Sequence, residues 1–73
     1  MVGTGEVRFL LSESGRIVLR AFDVTGACLG TIADGRYSSG VHRTNWRPPG
    51  SGVYFLRLDT PAGRLAARRV TPR

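Results

Sequence analysis

Turn-forming residues punctuate this chain so regularly that no segment between them is long enough to read as a helix. The breaks fall at Ser12-Glu13-Ser14-Gly15, at Asp23-Val24-Thr25-Gly26, across residues 34–40, at Arg47-Pro48-Pro49-Gly50-Ser51-Gly52 and at Asp59-Thr60-Pro61-Ala62-Gly63. Glycine supplies positive φ, proline removes a backbone donor, and short polar side chains bond to their own turn. The intervals carry a period of two, not 3.6. Turn signals about 8–12 residues apart are the pattern of a small sandwich or barrel.

Each interval reads as a strand. Val7, Phe9 and Leu11 share one face of the first, and Ile17, Leu19 and Ala21 share one face of the second against Arg16, Val18 and Arg20. Residues 27–33 form a weaker third strand. Leu29 and Ile32 there are spaced by three, which predicts a bulge or an edge. Residues 34–40 read as a loop, and residues 41–46 as a strand with His42, Thr44 and Trp46 on one face. Val53-Tyr54-Phe55-Leu56 is apolar throughout, which predicts burial on both faces. Residues 64–70 form the last strand. Ser39-Gly40-Val41-His42 and Ser51-Gly52-Val53-Tyr54 echo each other as two similar strand starts, too few to build a solenoid.

At 73 residues and 7.9 kDa the chain reads as one small domain or a piece of one, with a marginal core, which disfavours a large enzyme. Its lone cysteine, Cys28, excludes an intrachain disulfide, and Cys28 with the lone His42 cannot complete a structural zinc site. The expectation is no metal and no cofactor. Gly3-Thr4-Gly5 lacks the lysine and following helix of a phosphate loop. A Cys28/His42 nucleophile pair is the one enzyme-like arrangement, and nothing in the spacing supplies its geometry. Glu6, Glu13, Asp23, Asp34 and Asp59 fall mostly at turns and strand ends, where carboxylates cap backbone donors. The chain therefore reads as a non-enzyme. Phe9-Leu10-Leu11 is too short for a signal-peptide core, and no apolar run approaches a membrane span.

Eleven arginines and no lysine against five acidic residues give a formal net charge of +6. With Trp46, Tyr37, Tyr54 and Phe55 this could build a stacking surface for single-stranded nucleic acid. That role requires the arginines to gather on one face, and in the sequence they are spread singly apart from Arg68-Arg69. A solvated basic surface is the simpler reading, and nucleic acid is the disfavoured partner. Trp46 and Tyr54 read as core, with a sugar platform as the functional alternative. His42 reads as a packed or edge histidine.

The order of segments resembles a known family. Val7-Arg8-Phe9 leads to Ile17-Val18-Leu19-Arg20-Ala21-Phe22-Asp23-Val24-Thr25-Gly26, a strand ending in an aromatic-Asp-x-x-Gly turn. Gly40-Val41-His42-Arg43-Thr44-Asn45-Trp46 and Ser51-Gly52-Val53-Tyr54-Phe55-Leu56-Arg57-Leu58 follow, with Gly63 and Arg68-Arg69-Val70 completing the series. This is similar to the C-terminal sorting domain (type A) of type IX secretion cargo, and to the related immunoglobulin-like domain of the flagellar hook-capping protein family. Arginines stand where the sorting family has lysines, and Pro48-Pro49-Gly50 replaces a shorter apolar approach.

The resemblance implies an all-β fold, a small immunoglobulin-like antiparallel β-sandwich of about six to seven short strands. Residues 1–5 would be a flexible leader or linker remnant and residues 6–73 a single domain at the end of a longer precursor, secreted or held at the cell surface. It implies a protein partner, either the outer-membrane secretion machinery or a neighbouring domain of the parent, with no membrane insertion. By position, Gly52, Tyr54, Arg68 and Arg69 match the family's recognition elements. An open edge strand adds the expectation of an edge-strand dimer.

Overall fold

The computed structural model describes residues 6–71, with side chains as far as Leu65. The expected leader, residues 1–5, lies outside the described residues. The fold is all-β, with six antiparallel strands: β1 (Glu6–Leu11), β2 (Gly15–Phe22), β3 (Cys28–Tyr37), β4 (Gly40–Asn45), β5 (Gly52–Thr60) and β6 (Gly63–Thr71). They make two sheets. One is the pair β1-β4 and the other has the order β3-β2-β5-β6.

Period-two alternation decides which side chains meet between the sheets. Val7, Phe9 and Leu11 from β1 face Ile17, Leu19 and Ala21 of β2, Ala33 of β3, and Leu56 and Leu58 of β5. Ile17 is fully buried, and no polar or charged residue is buried among the described ones. Ile32, Tyr37 and Trp46 pack half-buried against this core. Trp46 lies just beyond β4, on the face that carries His42 and Thr44.

The weak third strand carries the predicted irregularity. In the β2–β3 register Leu19 faces Ala33 and Arg20 faces Thr31, so Ile32 is the extra residue. Ala21 faces Gly30 and Phe22 faces Cys28, so Leu29 is extra too. The two residues with the anomalous spacing are the two bulges, and β3 is an edge strand.

Two expectations are corrected. Residues 34–37 continue β3 and are not loop, because the ladder to β2 runs on to Gly15↔Tyr37 and Arg16 binds Asp34 at 2.9 Å. Backbone pairing outweighs the turn propensity of Asp34-Gly35. Nor is β5 buried on both faces. Tyr54, Leu56 and Leu58 are buried, while Phe55 on the opposite face is 40% exposed. The β1-β4 pair covers only one face of the larger sheet, so apolar residues pointing the other way stay in water.

Turn chemistry sets the connections. Asp23 Oδ1 accepts hydrogen bonds from the Thr25 amide (2.9 Å), the Thr25 hydroxyl (2.6 Å) and the Ala27 amide (3.0 Å). Gly26 takes φ +90° within this turn. At the other end of the sheet, Gly15 meets the β5–β6 turn, and a Cβ there would lie 2.5 Å from Pro61 Cγ, at a φ of +155° that suits glycine. Gly15→Ala is therefore expected to destabilise the fold by about 1–3 kcal/mol, read as a lower urea midpoint at unchanged slope.

Candidate functional site

The residues singled out from sequence converge on the β5–β6 half of the larger sheet. Gly52 opens β5, and a Cβ on it would touch the Tyr54 ring at 3.8 Å. Tyr54 is buried at 7% exposure. Its hydroxyl donates to the Gly50 carbonyl at 2.9 Å, and its ring meets Trp46 edge-on at 5.3 Å. The pair anchors the proline-rich segment 47–52 onto the sheet, so Tyr54 shapes the surface from below. Arg68 and Arg69 lie on β6, opposite Phe55 and Tyr54 respectively. Their side chains are outside the described residues.

The outer face of this sheet collects charge that looked scattered in the sequence. Arg16 stands across from Arg36, Arg20 across from Arg57, and Asp59 across from Arg64. Alternation puts these on the side away from the core, where Arg16 and Arg20 flank Val18 and Arg57 follows Phe55. Five arginines thus share a face with two carboxylates, Asp34 and Asp59. One carboxylate serves several cations. Asp59 takes Arg64 Nε at 2.7 Å and lies 3.5 Å from Arg57 Nε and 3.7 Å from Arg20 Nη1. Arg57 also stacks on Phe22, with Cζ 4.9 Å from the ring centroid. Its Nε is shielded from solvent and sits in ion-pair range of Asp59 without hydrogen-bond geometry. Arg36 makes no ion pair with a described residue.

No family model, curated protein or solved structure matches the chain. The surface has to be read from its own chemistry.

The Cys28 and His42 side chains are not brought together. Cys28 begins β3 and is exposed, with Sγ 3.9 Å from the Gly30 carbonyl. His42 packs beside Tyr37 at the other end of β3, about 30 Å away along a strand that rises about 3.3 Å per residue. His42 stacks on Phe9 at 5.4 Å, and its Nε2 donates to the Ser38 carbonyl at 2.7 Å. It is a packed histidine closing one side of the core. Among the described residues no three His, Cys, Asp or Glu side chains are grouped to hold a metal, and no helix is long and apolar enough to cross a membrane.

Arg16, Arg20, Arg57 and Arg64 do not stand out as a group in the sequence. Their alternation within strands was readable, but the register that aligns them side by side was not. Two carboxylates respond to these surroundings. The Arg64 guanidinium bound to Asp59 holds that carboxyl below its ordinary value, with charge from Arg64, Arg57 and Arg20 adding to it. The Thr25 hydroxyl, with the Ala27 amide next, does the same to Asp23. A carboxyl lowered in the folded state stabilises the fold above its unfolded pKa of about 3.9, and that stability is lost as pH falls through the lower folded value. Asp59→Asn should therefore melt below the parent protein at pH 7, and the two melting curves should converge as the pH is taken below about 4. Equal separation at every pH would show that proton linkage at Asp59 contributes nothing.

Proposed function

We propose that this chain is a non-enzymatic C-terminal sorting domain of a larger exported bacterial protein, read by type IX outer-membrane machinery through the edge of β6. The observation carrying the reading is that the last strand is an edge. β6 pairs only with β5 among the described residues, so one side of its backbone is available to a receptor strand. Strand addition takes affinity from main-chain hydrogen bonds, and charge beside the edge selects the partner. The Arg68-Arg69 doublet lies on this strand. Support also comes from the antiparallel sandwich that the resemblance implied. Gly52 and Tyr54 serve by holding segment 47–52 against the strand next to β6. On this reading the domain travels to the cell surface as part of its precursor. A structural module of the hook-capping type would use the same fold as a spacer, and export separates the two. Fused to the C-terminus of a periplasm-directed fluorescent protein in a type-IX-competent bacterium, the chain should carry fluorescence to the cell surface. Arg68→Glu with Arg69→Glu should reduce that transfer several-fold without lowering the melting temperature. Fluorescence retained in the periplasm by the parent fusion would end the sorting reading.

A second reading is favoured by one specific observation, the gathering of Arg16, Arg20, Arg36, Arg57 and Arg64 on one sheet face with Phe55 exposed among them. That combination suits the phosphates and bases of a single strand. It requires a thymidine oligonucleotide to bind at about 0.15 M salt with affinity falling steeply as salt rises. Arg20→Gln with Arg57→Gln should weaken that binding and flatten the slope. A protein-recognition domain gives no retention at that salt.

A further inference from the structure

The two sheets are unequal, and the mismatch leaves part of the core floor open. β4 sits toward β3, with the His42 ring 5.0 Å from Tyr37. The paired edge of β1 therefore faces the β3 side, and its other edge faces across the sheet toward β6. That second edge has no strand partner among the described residues. Beneath it, Leu65 of β6 stands across from buried Leu58, in the inward row, yet is 60% exposed. The result is a groove of about 340 Å³ lined by Val7, Phe9, Leu19, Leu56, Leu58 and Leu65. It is walled by a free strand edge and floored by leucine.

We propose that this groove is a strand-acceptor site. Its occupant is an extended segment of another polypeptide, apolar at alternate positions and acidic at the intervening ones. The segment adds to the free edge of β1 as the third strand of the smaller sheet. Its apolar side chains cover Leu58 and Leu65, and its backbone pairs with the outer edge of β1 over Val7 to Leu11, which has no strand partner among the described residues. β1 has six residues, so about 20 Å of partner strand fills the edge.

Charge picks the occupant. On the outward face of β1, Arg8 stands directly across from Arg43. Arg43 lies 3.8 Å from Glu6, while Arg8 makes no ion pair with a described residue. An incoming strand sets its outward side chains beside Arg8, where a carboxylate removes the like-charge opposition. A second copy of this chain is a poorer fit, because each copy carries a formal net charge of +6. The site is separate from the β6 edge, so failure of the sorting reading leaves it standing.

The probe is a fluorescein-labelled octapeptide of alternating valine and glutamate, compared with its valine–arginine counterpart and with a version carrying a central proline. Anisotropy should show saturable binding of the acidic peptide alone, with β1 amides becoming protected from hydrogen exchange. Leu65→Gln, at an exposed position, should keep the parent melting temperature and weaken binding about tenfold. Arg36→Gln removes a charge on the opposite face and should change affinity less than about twofold. Three outcomes overturn the proposal. They are no saturable binding, weakening by Arg36→Gln equal to that by Leu65→Gln, or a dimer in sedimentation whose β1 amides are already protected without peptide.

Discussion

A two-stranded sheet lies over one face of a four-stranded one, and everything else in this molecule follows from that unequal cover. Burial is available only where the small sheet reaches. Val7, Phe9 and Leu11 supply the lid, while Ile17, Leu19, Ala21, Leu56 and Leu58 supply the floor. No second layer lies on the far side of the large sheet among the described residues. The far side is left to water, and a face left to water can be charged. The arginines of β2, β3, β5 and β6 occupy ground that the core could not use.

That face is held together by sharing. Asp59 contacts three guanidiniums, and Phe22 takes the flat side of one of them. Such exposed pairs each contribute little to stability, since water screens them. Their effect is geometric. They gather the Arg20, Arg57 and Arg64 side chains around one carboxylate. The contact of buried Tyr54 with half-buried Trp46 holds the segment beside it in place.

The strand layout was legible because its causes are local. Alternation in Ile17-Val18-Leu19-Arg20-Ala21 names the inward face without reference to anything distant. The spacing of Leu29 and Ile32 announces an irregular or edge strand for the same reason, and the register shows two bulges there. The errors arose where a partner strand decides. Asp34-Gly35 looks like a turn until β2 lies beside it, and Phe55 looks buried until the cover proves to reach one face only. The arginine face was hidden for a related reason. Residues 20, 57 and 64 are far apart in the chain, and only the β2–β5–β6 register brings them together. The resemblance directed attention to Gly52, Tyr54, Arg68 and Arg69. Tyr54 proves to be a buried anchor, and the arginine doublet lies on an edge strand.

The large sheet has two edges, and they are not alike. β3 carries two bulges, which break its ladder and turn it away from any neighbour, whereas β6 pairs with β5 without a break from Gly52↔Thr71 to Thr60↔Gly63. Growth by sheet extension needs a donor edge and an acceptor edge on every unit. A sheet with one regular edge can join one other strand and then has no regular edge left on which to add another. The bulges therefore oppose strand addition at the β3 edge, which leaves β6 as the edge of this sheet better suited to pairing.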